Sequence, residues 1–334
     1  MLGTVRVARG LTQSELARHA GLSQALLSKV EGGLVTLDEG RLASLADQLD
    51  VPEKLLVMSV AQAGPSTYVF HRKRSTLTVS KANQLRADLD LLHLQVAGIV
   101  GDFRPPTIPK IPLPVDGYTS PEEVAEMVRA ALGYTHGPAF NLVSALESAG
   151  VAVLRRPLGS VRIDAMVSWP PGRRPIVLLG DHAPGDRQRF TVAHELGHAV
   201  MHDIPTETQE TEADRFAAEL LMPRVEVSPL LDRLTVPRLA QLKSEWGVSM
   251  AALLRRARDL DKISDFRYRS MNIELSRAGY RTREPVDVRV DEPRLVMSIV
   301  EERLASGETI ESLANSAWMT SSEFRRVYLE EAPG

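Results

Sequence analysis

Apolar positions along most of this chain recur at intervals of three and four, the mark of amphipathic helices, and only short stretches break the rule. In GLTQSELARHAGLSQALLSKVEGG, Leu16, Ala17 and Ala20 make one apolar side and Leu26, Leu27 and Val30 another. Thr12 followed by Glu15 is a capping-box pattern, Ser23 caps the second helix, and Gly21 supplies the tight turn between them. Asp38–Leu49 carry a further helix through Leu42, Leu45, Ala46 and Leu49. After the helix-ending AQAGPS at 61–66, the spacing of Leu85, Leu89, Leu92, Val96 and Ile99 predicts a helix over 81–100, about five turns long. Residues 103–117 hold five prolines and read as a stiff linker or wrapped arm. Ser120 and Pro121 begin a new run, with helices over 121–133 and 138–149. Val151–Leu154, Ala165–Trp169 and Pro175–Leu179, each bounded by Gly or Pro, predict short strands. Long helices return after Gly185 and again over about 290–330. The expected fold is mainly α with a small β-sheet, an α+β chain.

These breaks divide the chain into expected units at 1–60, 61–117, 118–258 and 259–334. The second unit joins a basic cluster (Arg72, Lys73, Arg74, Lys81), the long helix and the Pro-rich arm. Composition narrows the chemistry. The 334 residues contain no cysteine, which excludes disulfide staples and any Cys-ligated metal. A metal here must rest on His, Asp or Glu. No apolar run approaches the ~18 residues of a spanning helix and the start carries no signal-peptide pattern, so the expected location is cytoplasmic, without membrane contact. A net charge of −3 does not suit a protein that coats nucleic acid, but leaves room for a local DNA-reading surface.

With Leu26, Leu27 and Val30 turned inward, the second helix of the first unit presents Gln24, Ala25, Ser28 and Lys29 outward. Such a helix fits the major groove, where Gln can pair with adenine and Lys or Ser can touch phosphate. Residues 2–57 resemble the phage-repressor (XRE, Cro/CI-like) helix-turn-helix family through Gln13, Leu16, Ala17, Gly21, Ser23, Gln24, Leu27 and Glu31. The resemblance implies double-stranded DNA as partner and puts Gln13, Ser23, Gln24, Ala25, Ser28 and Lys29 on the reading surface. Residues 1–60 hold six Lys/Arg against seven acids. Affinity depends heavily on phosphate neutralisation, so one such unit should bind weakly, and a homodimer on a two-fold operator is expected.

Residues 191–202 read TVAHELGHAVMH. His194 and His198 are four apart and share one face of a helix, where they can grip one ion. Glu195 beside them can take a proton from an attacking water. Zinc needs a third protein ligand. Met201 and Ile204 stand where a metzincin would need Gly and His, which excludes that class. His202 lies about 12 Å along the axis from His194 and reads as a helix-end group or a support for a ligand. In QETEADRFAAELLMP, Glu210 and Asp214 are again four apart, the gluzincin arrangement in which the glutamate binds metal and the aspartate holds a ligating histidine. Glu207 and Glu212 are alternatives, although Glu212 faces away from Glu210 on a regular helix. Phe216, Ala217, Leu220 and Leu221 read as core.

RQRFTVAHELGHAVMH followed by EADRFAAELLMP resembles the ImmA/IrrE family of metallopeptidases, over about 137–256. The resemblance implies a gluzincin-like zinc peptidase in the 118–258 unit. It makes His194, His198 and Glu210 the zinc ligands and Glu195 the general base, with Asp214 and His202 in support. Family members cleave helix-turn-helix repressors, so the implied chain is a transcriptional regulator whose peptidase cuts a repressor or itself. The alternative is a DNA-binding repressor or antitoxin-like regulator whose peptidase fold is a non-catalytic sensor or interaction module. In the helical C-terminal region, residues 264–286 carry an aromatic and Arg-rich face expected to pack on the peptidase body. ETIESLANSAWMTSSEFRRVY resembles a second, degenerate helix-turn-helix, for which packing or dimerisation is expected over DNA reading.

Overall fold

The computed structural model describes residues 1–59, 78–101, 104–113, 119–158, 164–204 and 206–329. The basic residues Arg72, Lys73 and Arg74 and the break at 61–66 lie outside them. The fold is mainly α with one three-stranded sheet. Among the described residues no helix is long and apolar enough to cross a membrane.

Five helices open the chain: α1 (Leu2–Ala8), α2 (Gln13–His19), α3 (Gln24–Glu31), α4 (Glu39–Leu49) and α5 (Glu53–Leu56). Thr12 and Glu15 form the reciprocal capping box, and Ser23 and Asp38 cap α3 and α4 by accepting from Leu26 and Arg41 backbone N–H groups. Gly21 sits at φ 65°, a left-handed conformation in which a side chain is strained. Val5, Leu16, Leu27, Leu45 and Leu49 meet in the core of this bundle.

The next helix, α6 (Val79–Val100), buries residues on more than one side, among them Leu85, Ala87, Leu89, Leu91 and Leu92. Ala87 and Leu91 complete the core of the N-terminal bundle. Leu85, Leu89, Leu92, Val96 and Ile99 enter a second core, beneath the sheet. Its last carbonyls, Gly98 O and Ile99 O, accept from Arg303 at 3.0 and 2.9 Å.

Helices α7 (Pro121–Ala131) and α8 (Leu142–Ser148) lead into β1 (Ala152–Arg155), β2 (Ala165–Ser168) and β3 (Ile176–Leu179). The sheet order is β1-β3-β2, with β1 parallel and β2 antiparallel to the central β3. Side chains alternate as the pleat requires. Val153, Ala165, Val177 and Leu179 face the largest core, whereas Leu154, Met166, Ile176 and Leu178 face α6. His93 of α6 reaches the sheet and pairs with Ser168 Oγ at 2.9 Å.

Helix α9 (Gly185–Met201) lies on the upper face of the sheet, and α10 (Gln209–Leu221) crosses it. The crossing is close because Gly197 has no side chain: a Cβ there would stand 2.8 Å from Cδ1 of Phe216. The proline-rich residues 104–113 form a wrapped arm. Ile111 and Leu113 N–H groups donate to Val200 O and Met201 O at 2.9 and 2.7 Å, satisfying carbonyls that the end of α9 leaves without helical partners.

Helices α11 (Arg224–Val227), α12 (Val236–Trp246), α13 (Met250–Asp259) and α14 (Asp265–Arg277) join the largest core, which α10 also enters. Within 264–286 the expected packing is divided: Met271 and Leu275 are buried, but Phe266 is 77% exposed. Helices α15 (Leu295–Ala305), α16 (Ile310–Ser316) and α17 (Ser321–Tyr328) close the second core through Val300, Leu313, Phe324 and Tyr328. The helix-turn-helix-like pair α16 and α17 packs against the N-terminal bundle. Asp50 accepts from Thr320 Oγ1 at 2.8 Å and from Arg326 at 3.0 Å, Arg9 pairs with Glu323 at 2.8 Å, and Lys54 donates to Asn315 O at 2.7 Å.

Two stability predictions follow from this packing. Burial pushes His93 down to about 3, with Arg173 adding repulsion, so it stays neutral when folded and charges near 6.5 when unfolded. Its contribution is present above pH 6.5 and is lost as pH falls toward about 3. Across that window wild type should lose about 1.4 kcal/mol per pH unit more than His93→Gln, read from denaturant midpoints against pH. Gly197→Ala should destabilise by about 1–3 kcal/mol through overpacking. Adding Phe216→Leu should recover part of that loss, and strict additivity in the double variant would remove the contact from the account.

Candidate metal centre

Helix α9 is buried along nearly its whole length, so each polar side chain on it needs a partner. Asp186 pairs with Lys243, which also holds Glu284. Gln188 donates to Gly180 O at 3.1 Å, and Arg189 donates to Ala139 O. Arg187 holds Asp164 through two hydrogen bonds of 2.6 and 2.9 Å, with His182 on the same carboxylate at 3.1 Å. Arg187 precedes His194 by seven residues, about 10 Å along the axis, so this cluster is separate from the histidines.

His194 is fully buried and His198 is 2% exposed. Their Nε2 atoms approach to 3.1 Å. The crossing at Gly197 brings the first turn of α10 over them, with Glu210 Oε2 at 3.6 Å from His194 Nε2 and Glu210 Oε1 at 3.4 Å from His198 Nε2. Among the described residues these three form the group that could hold a metal ion, their ligand atoms all within 4.8 Å of one another. Tetrahedral zinc with bonds of about 2.0–2.1 Å sets its ligand atoms about 3.3 Å apart, which is the spacing seen. Glu210 Oε1 is also out of water and has no hydrogen-bond partner. A carboxylate oxygen left without a partner is unfavourable, and a cation at this point would remove that cost.

The outer nitrogens of both histidines are occupied. His194 Nδ1 meets Asp214 Oδ1 at 2.8 Å. His198 Nδ1 meets His202 Nδ1 at 2.9 Å, and His202 Nε2 meets Glu212 Oε2 at 2.9 Å. Thr208 Oγ1 donates to the other Glu212 oxygen, also at 2.9 Å. Burial lowers the His202 pKa from its ordinary value, against the opposing pull of Glu212. Glu212, an alternative ligand on sequence grounds, is thus engaged on His202. Glu195 follows His194 on the helix and is 9% exposed.

On the N-terminal bundle, Ser23, Gln24, Ala25, Ser28 and Lys29 are all exposed along α3. Gln24 Nε2 donates to Gln13 Oε1 at 2.8 Å, and Gln13 Nε2 donates to Glu31 Oε2 at 2.8 Å. Arg6 grips the same Glu31 with two hydrogen bonds, 2.6 and 3.0 Å. The chain Arg6–Glu31–Gln13–Gln24 therefore fixes an exposed glutamine amide at the start of α3. Sequence reasoning placed Gln13 and Gln24 but missed Arg6 as their anchor. It also missed Thr208 and the use of Glu212. The one available signal was the spacing of His202 and Glu212, four residues beyond His198 and two beyond Glu210.

Residues 146–258 match the IrrE N-terminal-like domain, and residues 2–56 match a helix-turn-helix domain. The radiation response metalloprotease IrrE of Deinococcus radiodurans is 29% identical over 168 residues, covering 44% of this chain and 50% of that protein. The chain therefore matches about half the length of that relative. It joins, in one polypeptide, a helix-turn-helix domain to a domain of the IrrE N-terminal-like family.

Proposed function

We propose that this chain is a DNA-binding transcriptional regulator whose IrrE-like domain is a zinc-dependent peptidase, acting on a helix-turn-helix repressor or on the regulator itself. The observation that carries the reading is the convergence of His194, His198 and Glu210, with Glu210 Oε1 buried and unpartnered. These three would hold zinc, with Asp214 and His202 fixing the two imidazoles. When bound, zinc supplies Lewis-acid polarisation of the scissile carbonyl. Glu195 Oε takes the proton of the attacking water and passes it to the leaving amide nitrogen. The metalloprotease name of the similar Deinococcus protein supports this chemistry.

The DNA reading rests on α3. Gln24 uses one amide hydrogen on Gln13 and keeps its oxygen and second hydrogen for an adenine edge. Ser23, Ser28 and Lys29 take phosphates and Ala25 lies against the bases. The bundle's small negative charge requires a second copy on a two-fold operator, hence a homodimer working in the cytoplasm.

Elemental analysis of the purified protein should give stoichiometric zinc that is lost in His194→Ala; an equal metal content in both would end the zinc reading. Glu195→Gln should keep the metal and lose all cleavage of repressor substrates, and cleavage at the wild-type rate would remove Glu195 as the base. Gln24→Ala should weaken operator binding by about 1–3 kcal/mol and relax preference at one base pair, without lowering the melting temperature. An unchanged sequence preference would take Gln24 off the reading surface.

A further inference from the structure

Glu212 lies outside the group of three candidate ligands, yet it ends a hydrogen-bond chain that begins on one of them. We infer that Glu212 is a positioning residue that fixes the tautomer of His198 through His202, leaving the His198 Nε2 lone pair toward the metal. The inference rests on the zinc reading above and goes beyond it, since it assigns a role to a carboxylate outside the ligand set.

The argument is one of proton counting. A carboxylate only accepts hydrogen bonds, and a neutral imidazole has one N–H and one lone pair. Glu212 accepts from Thr208 Oγ1 with one oxygen and meets His202 Nε2 with the other, each at 2.9 Å. The proton of His202 is therefore on Nε2, and its Nδ1 is an acceptor. His198 Nδ1, 2.9 Å away, must donate to it. The single proton of His198 is then on Nδ1, and its Nε2 presents a lone pair toward Glu210 Oε1 at 3.4 Å. Asp214 does the same for His194 directly, by accepting from Nδ1 at 2.8 Å. Both rings thus turn their Nε2 lone pairs to one point, one held by a carboxylate and the other by a carboxylate acting through a second ring; the two Nε2 atoms stand 3.1 Å apart, and a cation between them would take both lone pairs. Outer partners of this kind commonly change metal affinity about 10- to 100-fold.

The geometry also explains the placement of Glu212. His202 closes α9 in an extended conformation, and Glu212 lies in the first turn of α10, so the relay bridges the end of one helix and the start of the next. Glu210 enters the ligand group from that same first turn.

The test uses the full-length protein, zinc as the probe, and two variants. Long-range nitrogen–proton correlation spectra of the zinc-loaded wild type should show the His202 proton on Nε2 and the His198 proton on Nδ1. Glu212→Leu, which offers no acceptor, should lose that proton pattern and weaken zinc binding about 10- to 100-fold in chelator competition, with the near-UV dichroism of the metal-free fold retained. Glu212→Gln keeps an acceptor oxygen and should restore both the pattern and most of the affinity. A zinc-loaded wild type with the His202 proton on Nδ1, or Glu212→Leu binding zinc as wild type does, overturns the role of Glu212 and leaves the zinc site standing. A wild type that takes up no zinc overturns both. If Glu212→Leu fails to fold, the wild-type proton pattern decides.

Discussion

The candidate metal centre depends on how closely two buried helices cross. His194 and His198 lie on α9 and Glu210 on α10, and no local sequence rule can bring them within one ion's reach. The missing side chain of Gly197 does so, because the Phe216 ring occupies the place where a Cβ would stand. Interiors are packed to the density of organic crystals, so a shift of a few tenths of an ångström here moves the carboxylate by as much relative to the imidazoles. The wrapped arm and the sheet complete the enclosure of α9, and Ile111 and Leu113 take up carbonyls at its C-terminal end. The helix can be buried so completely only because its polar groups have somewhere to go.

The C-terminal helices show the same economy of polar groups. Helices α16 and α17 have the look of a second DNA reader, but the start of α17 is engaged within the chain. Asp50 sits at the end of α4 with φ 50°, and its carboxylate lies at the start of α17 between Thr320 and Arg326. Burial opposes its ionisation, yet the hydrogen bonds from Arg326 and Thr320 outweigh this and hold the carboxyl below its ordinary range. A phosphate backbone approaching that helix start would meet a carboxylate already in place.

Much of this was legible in the sequence, and the parts that were not share a cause. Thr12, Ser23 and Ser120 cap helices where local spacing predicts, because capping involves residues three apart. The three strands appear near their predicted positions because Gly and Pro bound them. The convergence of the His194 and His198 face with Glu210 was readable from two i, i+4 pairs and a family resemblance. Strand order, the hold of Asp50 on the C-terminal helices and the partner of Glu212 were not readable. Each joins residues far apart in the chain, or depends on which way a helix turns once packed. The anchoring of Gln13 by Arg6 through Glu31 spans 25 residues and leaves no periodic trace.

Helix α6 belongs to two cores at once, with Ala87 and Leu91 on the side of the N-terminal bundle and Leu89 and Leu92 beneath the sheet. A rod gripped at both flanks carries thermodynamic reciprocity between the bodies that grip it. Two ligands, one on the sheet side and one on the bundle side, are coupled where both distinguish settings of α6, and the factor is then identical in each direction.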